Sequence, residues 1–378
     1  MSKSLVSRRP RIGRGTTVPV VGSTADRAQA PMQQLGWKPF FQQQLTLEEL
    51  TDCVPVRVMA VHRSQLEVAG ERGEEVLPLS GALLASEVDR RPTVGDWLLL
   101  ERESRKPLRR LTRSSRFQRM APGAGRLQLI AANVDSVLIV TSCNQDFNLS
   151  RIERYLALVQ EAGCRPHLVL TKADLCADPA EYLDALQSLR ELPVVLVNAL
   201  DPASVAPLRQ WYGAGETLAL LGSSGVGKST LLNTLGGADV AVTGAIRAAD
   251  DKGRHTTRHR ALYPLPGGAL LLDSPGMREL GLAAVERGLD ETFDEIGDLA
   301  MQCRFADCGH ASEPGCAVRA AIDAGKIDER RLLNWQKLSR EVVRNNRTLA
   351  QRRADSRALG QFYRGVQEHA RQRKVRGD

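Results

Sequence analysis

Residues Thr217–Thr230 read Thr-Leu-Ala-Leu-Leu-Gly-Ser-Ser-Gly-Val-Gly-Lys-Ser-Thr, which places the pattern G-x-x-x-x-G-K-S directly after a strand-like run. A helix-like run containing Leu231, Leu232 and Leu235 follows. Glycines let backbone N–H groups converge on phosphate oxygens, and the positive end of the next helix points at the same anion. This context predicts a phosphate-binding loop formed by Gly222, Ser223, Ser224, Gly225, Val226, Gly227, Lys228, Ser229 and Thr230.

Length and composition indicate several domains in a reducing compartment. The chain has 378 residues, too many for one compact core, and a net charge of +8 that suits an acidic partner. It has no apolar run of about 18 residues and no apolar segment of a secretory signal near its N-terminus, so we expect a cytoplasmic protein without a membrane span. Its seven cysteines favour a metal site over a disulfide framework, because three of them cluster late in the chain.

An alternating pattern of strands and helices begins near residue 129. Short apolar runs rich in Val, Ile and Leu are separated by helix-like segments such as Leu149–Gly163, which Asn148 or Ser150 can cap. Buried parallel strands alternating with helices predict a doubly wound α/β domain. The predicted strands are Val134–Val140, Pro166–Leu170, Val194–Val197, Thr217–Leu221 and Ala269–Leu272.

The N-terminal third has a different pattern. Residues 1–50 form a basic arm that we expect to be largely disordered. Residues 51–128 contain short alternating strands with glycine turns, the last covering Leu108–Phe117, which predicts a small antiparallel barrel of the oligonucleotide-binding (OB) type. Its basic residues indicate either an RNA-binding face or a solvated charged surface. They are Arg102, Arg105, Lys106, Arg109, Arg110, Arg113, Arg116 and Arg119.

Two predicted strands end in residues suited to a guanine base. Thr171, Lys172, Ala173 and Asp174 follow the strand Pro166–Leu170. An aspartate there can accept hydrogen bonds from guanine N1–H and the 2-amino group, and a lysine stem can stack over the base. Asn198 and Ala199 follow the next strand, where a backbone N–H can contact the base carbonyl. These patterns predict GTP and GDP as ligands.

A third strand end predicts the magnesium site. Asp273-Ser274-Pro275-Gly276 follows Ala269–Leu272, so Asp273 can hold Mg²⁺ through water and the Gly276 N–H can sense the γ-phosphate. The Ser229 hydroxyl is a second magnesium ligand. The polar segment Asp251–His259 is typical of a mobile switch that closes on Mg²⁺ through a threonine, and we favour Thr257 over Thr256.

The order of these motifs is unusual for a GTPase. The base-reading motif precedes the phosphate loop, whereas the ordinary order has it last. The parts are all present, which indicates a circular permutation within the domain. Such a permutation is physically allowed because domain termini lie at the surface and often close together.

The segment after the predicted GTPase domain indicates a second metal. Three thiols and an imidazole within fourteen residues can close a tetrahedral zinc site in a loop with little apolar content to fold it. The predicted ligands are Cys303, Cys308, His310 and Cys316. The tail from Arg330 to Asp378 has fourteen bases against four acids, which indicates salt-dependent RNA binding or a solvated helix.

Taken together, these motifs resemble the ribosome small-subunit-dependent GTPase family called RsgA or YjeQ. The resemblance carries over the guanine-reading, phosphate-binding and zinc-binding residues named above. It implies an OB barrel (51–128), a permuted GTPase domain (129–286) and an α-helical zinc domain (287–345) with one Zn²⁺ per chain. The basic tail (346–378), which composition predicts to be helical, lies mostly outside the resemblance. The resemblance also implies a factor that binds the small ribosomal subunit and its rRNA late in maturation, with slow GTP hydrolysis that the subunit stimulates. We expect a monomer.

Three departures from the usual GTPase pattern affect the expected mechanism. Thr171 stands where many GTPases have Asn, and Arg258 follows the paired threonines where a third Thr is usual. Met277 follows Gly276 where many GTPases carry a water-orienting Gln, and a thioether cannot orient water. We therefore expect slow intrinsic hydrolysis with His255 as the nearest candidate helper. Two alternatives stay open, a GTP-gated factor acting on another RNA and a scaffold without turnover.

Overall fold

The structure is a computed structural model that describes residues 32–79, 91–120, 127–189, 191–242, 261–273, 285–346 and 351. For residues 120, 127, 237–242 and 273 only the backbone is described. The predicted switch segment Asp251–His259, with His255, Thr256 and Thr257, lies outside these ranges, as do Gly276, residues 1–31 and most of the basic tail.

Thirteen strands and ten α-helices are described, and we number each set in chain order. The strands are β1 (Cys53–Val61), β2 (Gln65–Gly70), β3 (Gly73–Pro78), β4 (Trp97–Glu101), β5 (Pro107–Arg110), β6 (Arg116–Met120), β7 (Leu127–Ala132), β8 (Ser136–Ser142), β9 (Arg165–Thr171), β10 (Val194–Leu196), β11 (Thr217–Leu221), β12 (Ala261–Pro264) and β13 (Leu270–Asp273). The helices are α1 (Pro39–Gln42), α2 (Leu47–Asp52), α3 (Leu149–Ala162), α4 (Ala180–Ala185), α5 (Pro202–Val205), α6 (Lys228–Val242), α7 (Glu286–Thr292), α8 (Asp294–Ala300), α9 (Ala317–Asp323) and α10 (Glu329–Asn346).

The predicted parallel sheet is confirmed. Its parallel strands run in the order β10-β9-β8-β11-β13, and β12 adds an antiparallel strand beside β13. Successive residues of a strand point to opposite faces, so Val137 and Ile139 lie in one buried cluster and Leu138 and Val140 in the other. Helix α3 covers the first face and α6 the second, which gives the doubly wound arrangement.

Helix α3 forms where the sequence predicts it. The Asn148 side chain accepts a hydrogen bond from the Arg151 N–H at 2.9 Å, so Asn148 is the cap. Gly163 ends the helix in a left-handed conformation with φ of +79°, which glycine adopts without a Cβ penalty. One face, including Ile152 and Leu156, is buried against the sheet. Helix α3 is therefore fixed at both ends and along its apolar face.

The first five strands, β1 to β5, form an antiparallel sheet that is continuous with the parallel one. Strand β1 pairs with β2 and β4, β3 and β5 lie outside these, and Ala60 of β1 pairs with Ala261 of β12. The predicted strand Leu108–Phe117 is wrong in detail, since β5 ends at Arg110 and β6 pairs instead with β7 in a separate hairpin. The described pairings do not include one between β3 and β5, so closure into an OB-type barrel stays a prediction.

Residues 32–50 form defined local structure that packs on the N-terminal sheet, while the prediction of a largely disordered arm over residues 1–50 is not tested by residues 1–31, which lie outside the described ranges. Helix α2 begins with a capping box in which Thr46 and Glu49 each bond the other's backbone N–H. Trp37 lies edge-on to Trp97 of β4, with ring centroids 4.8 Å apart, and stacks on Phe41. These contacts bury the segment against the N-terminal sheet.

Several of the basic residues predicted as an RNA-binding face make ion pairs or hydrogen bonds within the protein. Arg105 pairs with Glu75 and Arg113 with Asp96. Arg109 binds both carboxylate oxygens of Glu49, and these hydrogen bonds are the largest cause that lowers the pKa of Glu49 to about 2. Arg102 donates to the backbone carbonyls of Thr51 and Cys53. The RNA-binding face and the solvated charged surface both stay predictions.

Helices α7 and α10 pack on α3, and α8 packs against α7 and α9. Gly288 of α7 lies so close that an added Cβ would be 2.0 Å from the Ala157 carbonyl oxygen. The side chain of Glu153 is fully buried and binds Arg330, Arg331 and Asn334 of α10. Helix α3 therefore carries both the sheet core and the C-terminal domain. Within the described ranges, no helix combines the length and apolar character needed to cross a membrane.

Candidate nucleotide and metal sites

The predicted phosphate loop connects the buried strand β11 to the start of α6. Gly222 must be a glycine, because an added Cβ would lie 2.2 Å from the carbonyl oxygen of Val140 in β8. Gly225 and Gly227 have φ of +81° and +93°, a conformation that L side chains rarely adopt. The loop thus turns tightly at the carboxyl edge of the sheet, and α6 begins at Lys228 with its N-terminus facing the loop.

Lys228 curls back over this loop. Its Nζ donates to the Gly222 carbonyl oxygen at 2.9 Å and to that of Ser223. The side chain is largely buried, so the ammonium group is held over the turn by the protein backbone. This places a cation at the position where the sequence predicts contact with nucleotide phosphates.

Thr171 joins the predicted base motif to the phosphate loop. It is the buried last residue of β9, and its hydroxyl lies 2.5 Å from the carbonyl oxygen of Val226 and 3.0 Å from that of Thr141. The side chain is therefore turned toward the loop rather than toward a base. Lys172, half-buried, and Asp174, exposed, remain as the side chains available to a base.

Asn198 and Ala199 lie at the same edge of the sheet. The Asn198 side chain accepts a hydrogen bond from the Leu200 N–H at 3.0 Å, which shapes a turn after β10. The Ala199 carbonyl oxygen accepts a 2.6 Å hydrogen bond from Thr234 of α6. Helix α6 therefore anchors this turn beside the phosphate loop, and the structure brings three predicted motifs together.

Arg151 is a residue near this site that sequence reasoning missed. Its Nη1 donates to the Ser223 Oγ at 2.7 Å. The signal that could have found it is its place in the first turn of α3, just after β8, whose carboxyl end lies beside that of β11. Charged residues in the first turn after a central strand face the edge where ligands bind.

The donors predicted for magnesium suit that ion by their chemistry. Ser229 lies in the first turn of α6, and the backbone of Asp273 ends β13, the parallel neighbour of β11. Hydroxyl and carboxylate oxygens are the ligands that Mg²⁺ prefers. Thr257, the third predicted ligand, is outside the described residues, as are Gly276 and His255.

The four predicted zinc ligands converge. The ligand atoms of Cys303, Cys308, His310 and Cys316 all lie within 4.8 Å of one another, and no other such cluster occurs in the described ranges. The His310 Nδ1 is 3.5 Å from the Cys316 Sγ and 3.7 Å from the Cys303 Sγ. Three thiols and one imidazole at this spacing fit a tetrahedral Zn²⁺ site.

The loop around this cluster is held by hydrogen bonds from its own backbone N–H groups. The carboxylate of Glu313 accepts hydrogen bonds from the N–H groups of Gly309, Ala311 and Ser312. Cys316 caps α9, since its Sγ accepts from the Arg319 N–H at 3.4 Å. Burial opposes ionisation of Cys303, but hydrogen bonds from the backbone N–H groups of Val318 and Ala317 and from the thiols of Cys308 and Cys316 together lower its pKa. The thiolate form that a metal requires is thus favoured at Cys303.

We expect about one Zn²⁺ per chain in protein purified without added zinc. Replacing Cys316→Ser should abolish metal binding and raise protease sensitivity around 303–316, because the loop has few apolar contacts of its own. Cys176→Ser, which removes a half-buried thiol outside the cluster, should leave the metal content unchanged. Metal analysis and limited proteolysis measure both effects, and a full zinc content in Cys316→Ser would contradict the assignment.

Comparison with known proteins gives the family. Residues 110–283 match the family model described as RsgA GTPase. The chain is also 50% identical over 346 residues to "Small ribosomal subunit biogenesis GTPase RsgA 2" of Vibrio parahaemolyticus serotype O3:K6 (strain RIMD 2210633), covering 91% of this chain and 95% of that relative. The chain belongs to the RsgA GTPase family. As a member of this family it is a GTP hydrolase that uses Mg²⁺ with its nucleotide.

Two solved structures agree with the RsgA fold. YjeQ from Thermotoga maritima superposes with a TM-score of 0.56 at 24% sequence identity, covering 77% of this chain and 99% of that one. YloQ, described as a circularly permuted GTPase, gives 0.55 at 22% identity, covering 79% and 97%. At these identities the likeness concerns the fold alone. It confirms the permuted motif order expected from the sequence.

Proposed function

We propose that this RsgA family member hydrolyses GTP to GDP and phosphate during biogenesis of the small ribosomal subunit, in the cytoplasm and as a monomer. The observation that carries the nucleotide assignment is the hydrogen bond between the Thr171 hydroxyl and the Val226 carbonyl oxygen. It holds the base motif directly against the phosphate loop. A guanine at Asp174 and phosphates at Lys228 would then belong to one nucleotide.

Each proposed nucleotide contact has a role that its position explains. Backbone N–H groups of Gly222–Thr230 and the Lys228 ammonium bind the phosphates, because loop and α6 N-terminus face the same edge. Asp174 accepts from guanine, and the Lys172 stem covers the base. The N–H groups after β10, at Asn198 and Ala199, contact the base carbonyl.

Ser229, Thr257 and Asp273 are the proposed magnesium ligands, and Gly276 the sensor of the γ-phosphate. When bound, Mg²⁺ neutralises charge on the β- and γ-phosphates. Met277 stands where a water-orienting Gln is usual, so water must be positioned by another group. His255 is our candidate, and stimulation by the ribosomal subunit would act by placing it against the attacking water.

The partner is proposed from the relatives' names and from charge. The relatives are named as small ribosomal subunit biogenesis GTPases. Of the tail's fourteen bases, Arg330 and Arg331 are bound to Glu153 and do not face a partner. The remaining excess lies mainly beyond residue 346 and suits rRNA, with an affinity that falls steeply as salt rises. The N-terminal sheet, as an OB-type barrel, and the zinc domain would supply further contacts.

A hydrolysis assay with and without purified small ribosomal subunits tests the function. We expect slow GTP turnover by the protein alone, marked stimulation by small subunits, and no turnover of ATP. Stimulation by unrelated RNA alone would favour the RNA-binding alternative. Nucleotide binding without turnover under every condition would favour the scaffold alternative.

Asp174→Asn is expected to weaken GTP binding by about 1–3 kcal/mol, because it removes a charge-assisted hydrogen-bond acceptor. The matched control is Asp178→Asn, a nearby exposed aspartate whose side chain accepts from the Ala180 N–H at 2.9 Å. Titration with a fluorescent GTP analogue, with ATP as competitor, measures both variants. Equal GTP affinity in wild type and Asp174→Asn would show that Asp174 does not read the base.

A further inference from the structure

Arg151 holds the phosphate loop from outside the loop's own motif. Its guanidinium, at the start of α3, donates to the Ser223 hydroxyl, and the main chain of Ser223 is held separately by Lys228. Ser223 is therefore fixed at two points, by its side chain and by its carbonyl oxygen. Arg151 and Ser223 are far apart in the chain, so this contact depends on the tertiary fold.

The charge of Arg151 has no acidic partner among the described residues. Its contacts there are the capping bond of its backbone N–H to Asn148 and the side-chain bond to Ser223. A guanidinium has five N–H donors, and a neutral hydroxyl does not compensate its charge. The side chain is half-buried, which makes an uncompensated charge more costly than on the open surface. A retained cation here points to an anionic ligand nearby.

The loop itself explains why such a contact is useful. Gly222 precedes Ser223, and Gly225 follows after one residue, so this part of the loop has little side-chain packing of its own. Glycine is the most conformationally free residue, and its backbone N–H groups bind phosphate well only when they are already oriented. A bond from the rigid helix α3 to Ser223 restricts the loop before the nucleotide arrives.

We propose that Arg151 is a positioning residue for GTP binding and hydrolysis, which acts through the Ser223 hydroxyl to pre-order the phosphate loop. The inference rests on the proposed use of this loop for GTP. The positive charge of Arg151 attracts the phosphates, but it is the hydrogen bond from its guanidinium to Ser223 that positions the loop. A lysine at 151 would keep the charge and lose the planar fork of donors.

The test is a double-mutant cycle on Arg151→Met and Ser223→Ala, with the Kd for GDP and for a slowly hydrolysed GTP analogue as readouts. Each single variant is expected to raise both Kd values by about 10–150-fold, the range for a hydrogen bond to a charged group. The double variant should be no weaker than the weaker single variant, because both remove the same bond. If the fold increase in Kd of the double variant equals the product of the two single fold increases, the proposal is overturned.

The variant Arg151→Lys distinguishes the two roles of Arg151, because it keeps the positive charge but changes the hydrogen-bond geometry. We expect it to bind nucleotide nearly as poorly as Arg151→Met and to lower kcat/KM in parallel. If Lys restores wild-type binding while Ser223→Ala is harmless, Arg151 acts by charge alone and the proposal is wrong. Wild-type affinity in Arg151→Met would also overturn it.

The control is Arg154→Met, three residues further along α3. Arg154 pairs with Glu341 of α10 through two 2.7 Å bonds and faces the C-terminal domain, so nucleotide binding should not change. Circular dichroism and a thermal melt confirm that every variant is folded. Failure of the wild type to bind GTP would refute the proposed function, whereas failure of the cycle in a GTP-binding protein refutes only the role of Arg151.

Discussion

Replacing Glu153 with alanine is expected to destabilise the contact between α3 and the C-terminal helices by about 3–5 kcal/mol, the cost of breaking a buried ion pair from one side. The Glu153 side chain is fully buried, and its two oxygens receive donors from Arg330, Arg331 and Asn334 at 2.5–3.1 Å. Arg331 is itself almost fully buried and, among the described residues, would keep only Glu295 as an acidic partner. Its guanidinium cannot lose its proton to relieve the cost.

Hydrogen exchange measured by mass spectrometry reports the stability of α3 and α10 separately from that of the sheet. A regional method is needed because domains can unfold separately. Both helices should exchange faster in Glu153→Ala, while β8 and β11 remain protected. Glu329→Ala is the matched control, because Glu329 begins the same helix α10 but forms an exposed pair with Arg319, for which about 0–1 kcal/mol is expected. Equal exchange in the two variants would mean that Glu153 does not hold the domains together.

The central sheet was predictable because its signals are local. Each buried parallel strand is a continuous apolar run, and each ends in a short polar motif. Strand β8, for example, is buried along all of its residues, and the Asn148 cap follows within a few positions. The permuted order did not disturb these signals, because each motif stays attached to its own strand.

The predicted basic RNA-binding face was less predictable because ion pairing is not local. Arg109 looks like an RNA contact in sequence, yet its partner Glu49 is 60 residues earlier in the chain. Arg105 and Glu75 are 30 residues apart. Charge composition counts such residues as surface charge, and only the fold shows which of them are already neutralised.

The site shows the same division between local and distant signals. The loop motif, the base motif and the four zinc ligands are each recognisable from spacing. Two other contacts join strands and helices that are far apart in sequence. They are the hydrogen bond from the Thr171 hydroxyl to the Val226 carbonyl oxygen and the one from Arg151 to Ser223. Residue spacing does not predict such contacts, because the contacts depend on how β8, β9 and β11 lie side by side in the sheet.

Arg57 of β1 is a second buried charge that joins distant parts of the chain, in addition to Glu153. It is only 1% exposed, and its donors reach the Leu35 carbonyl oxygen at 2.5 Å, the Asn133 carbonyl oxygen at 3.0 Å and the Thr217 hydroxyl at 2.6 Å. These acceptors belong to the N-terminal segment, the approach to β8 and the first residue of β11. Burial is the largest cause that lowers its pKa to about 10, so it stays protonated at neutral pH.

Arg57→Met is expected to destabilise the protein by about 3–5 kcal/mol, because each orphaned buried acceptor costs about 1–3 kcal/mol and methionine offers no donor. Urea unfolding measures the change, and faster hydrogen exchange at 32–37 and 217–221 locates it. Arg165→Met is the control, since Arg165 is 59% exposed and pairs with Glu216 at the surface. Because Thr217 begins the strand that leads into the phosphate loop, Arg57→Met should also weaken GTP binding. A stability change below about 1 kcal/mol would mean that water or neighbouring groups satisfy the acceptors without Arg57.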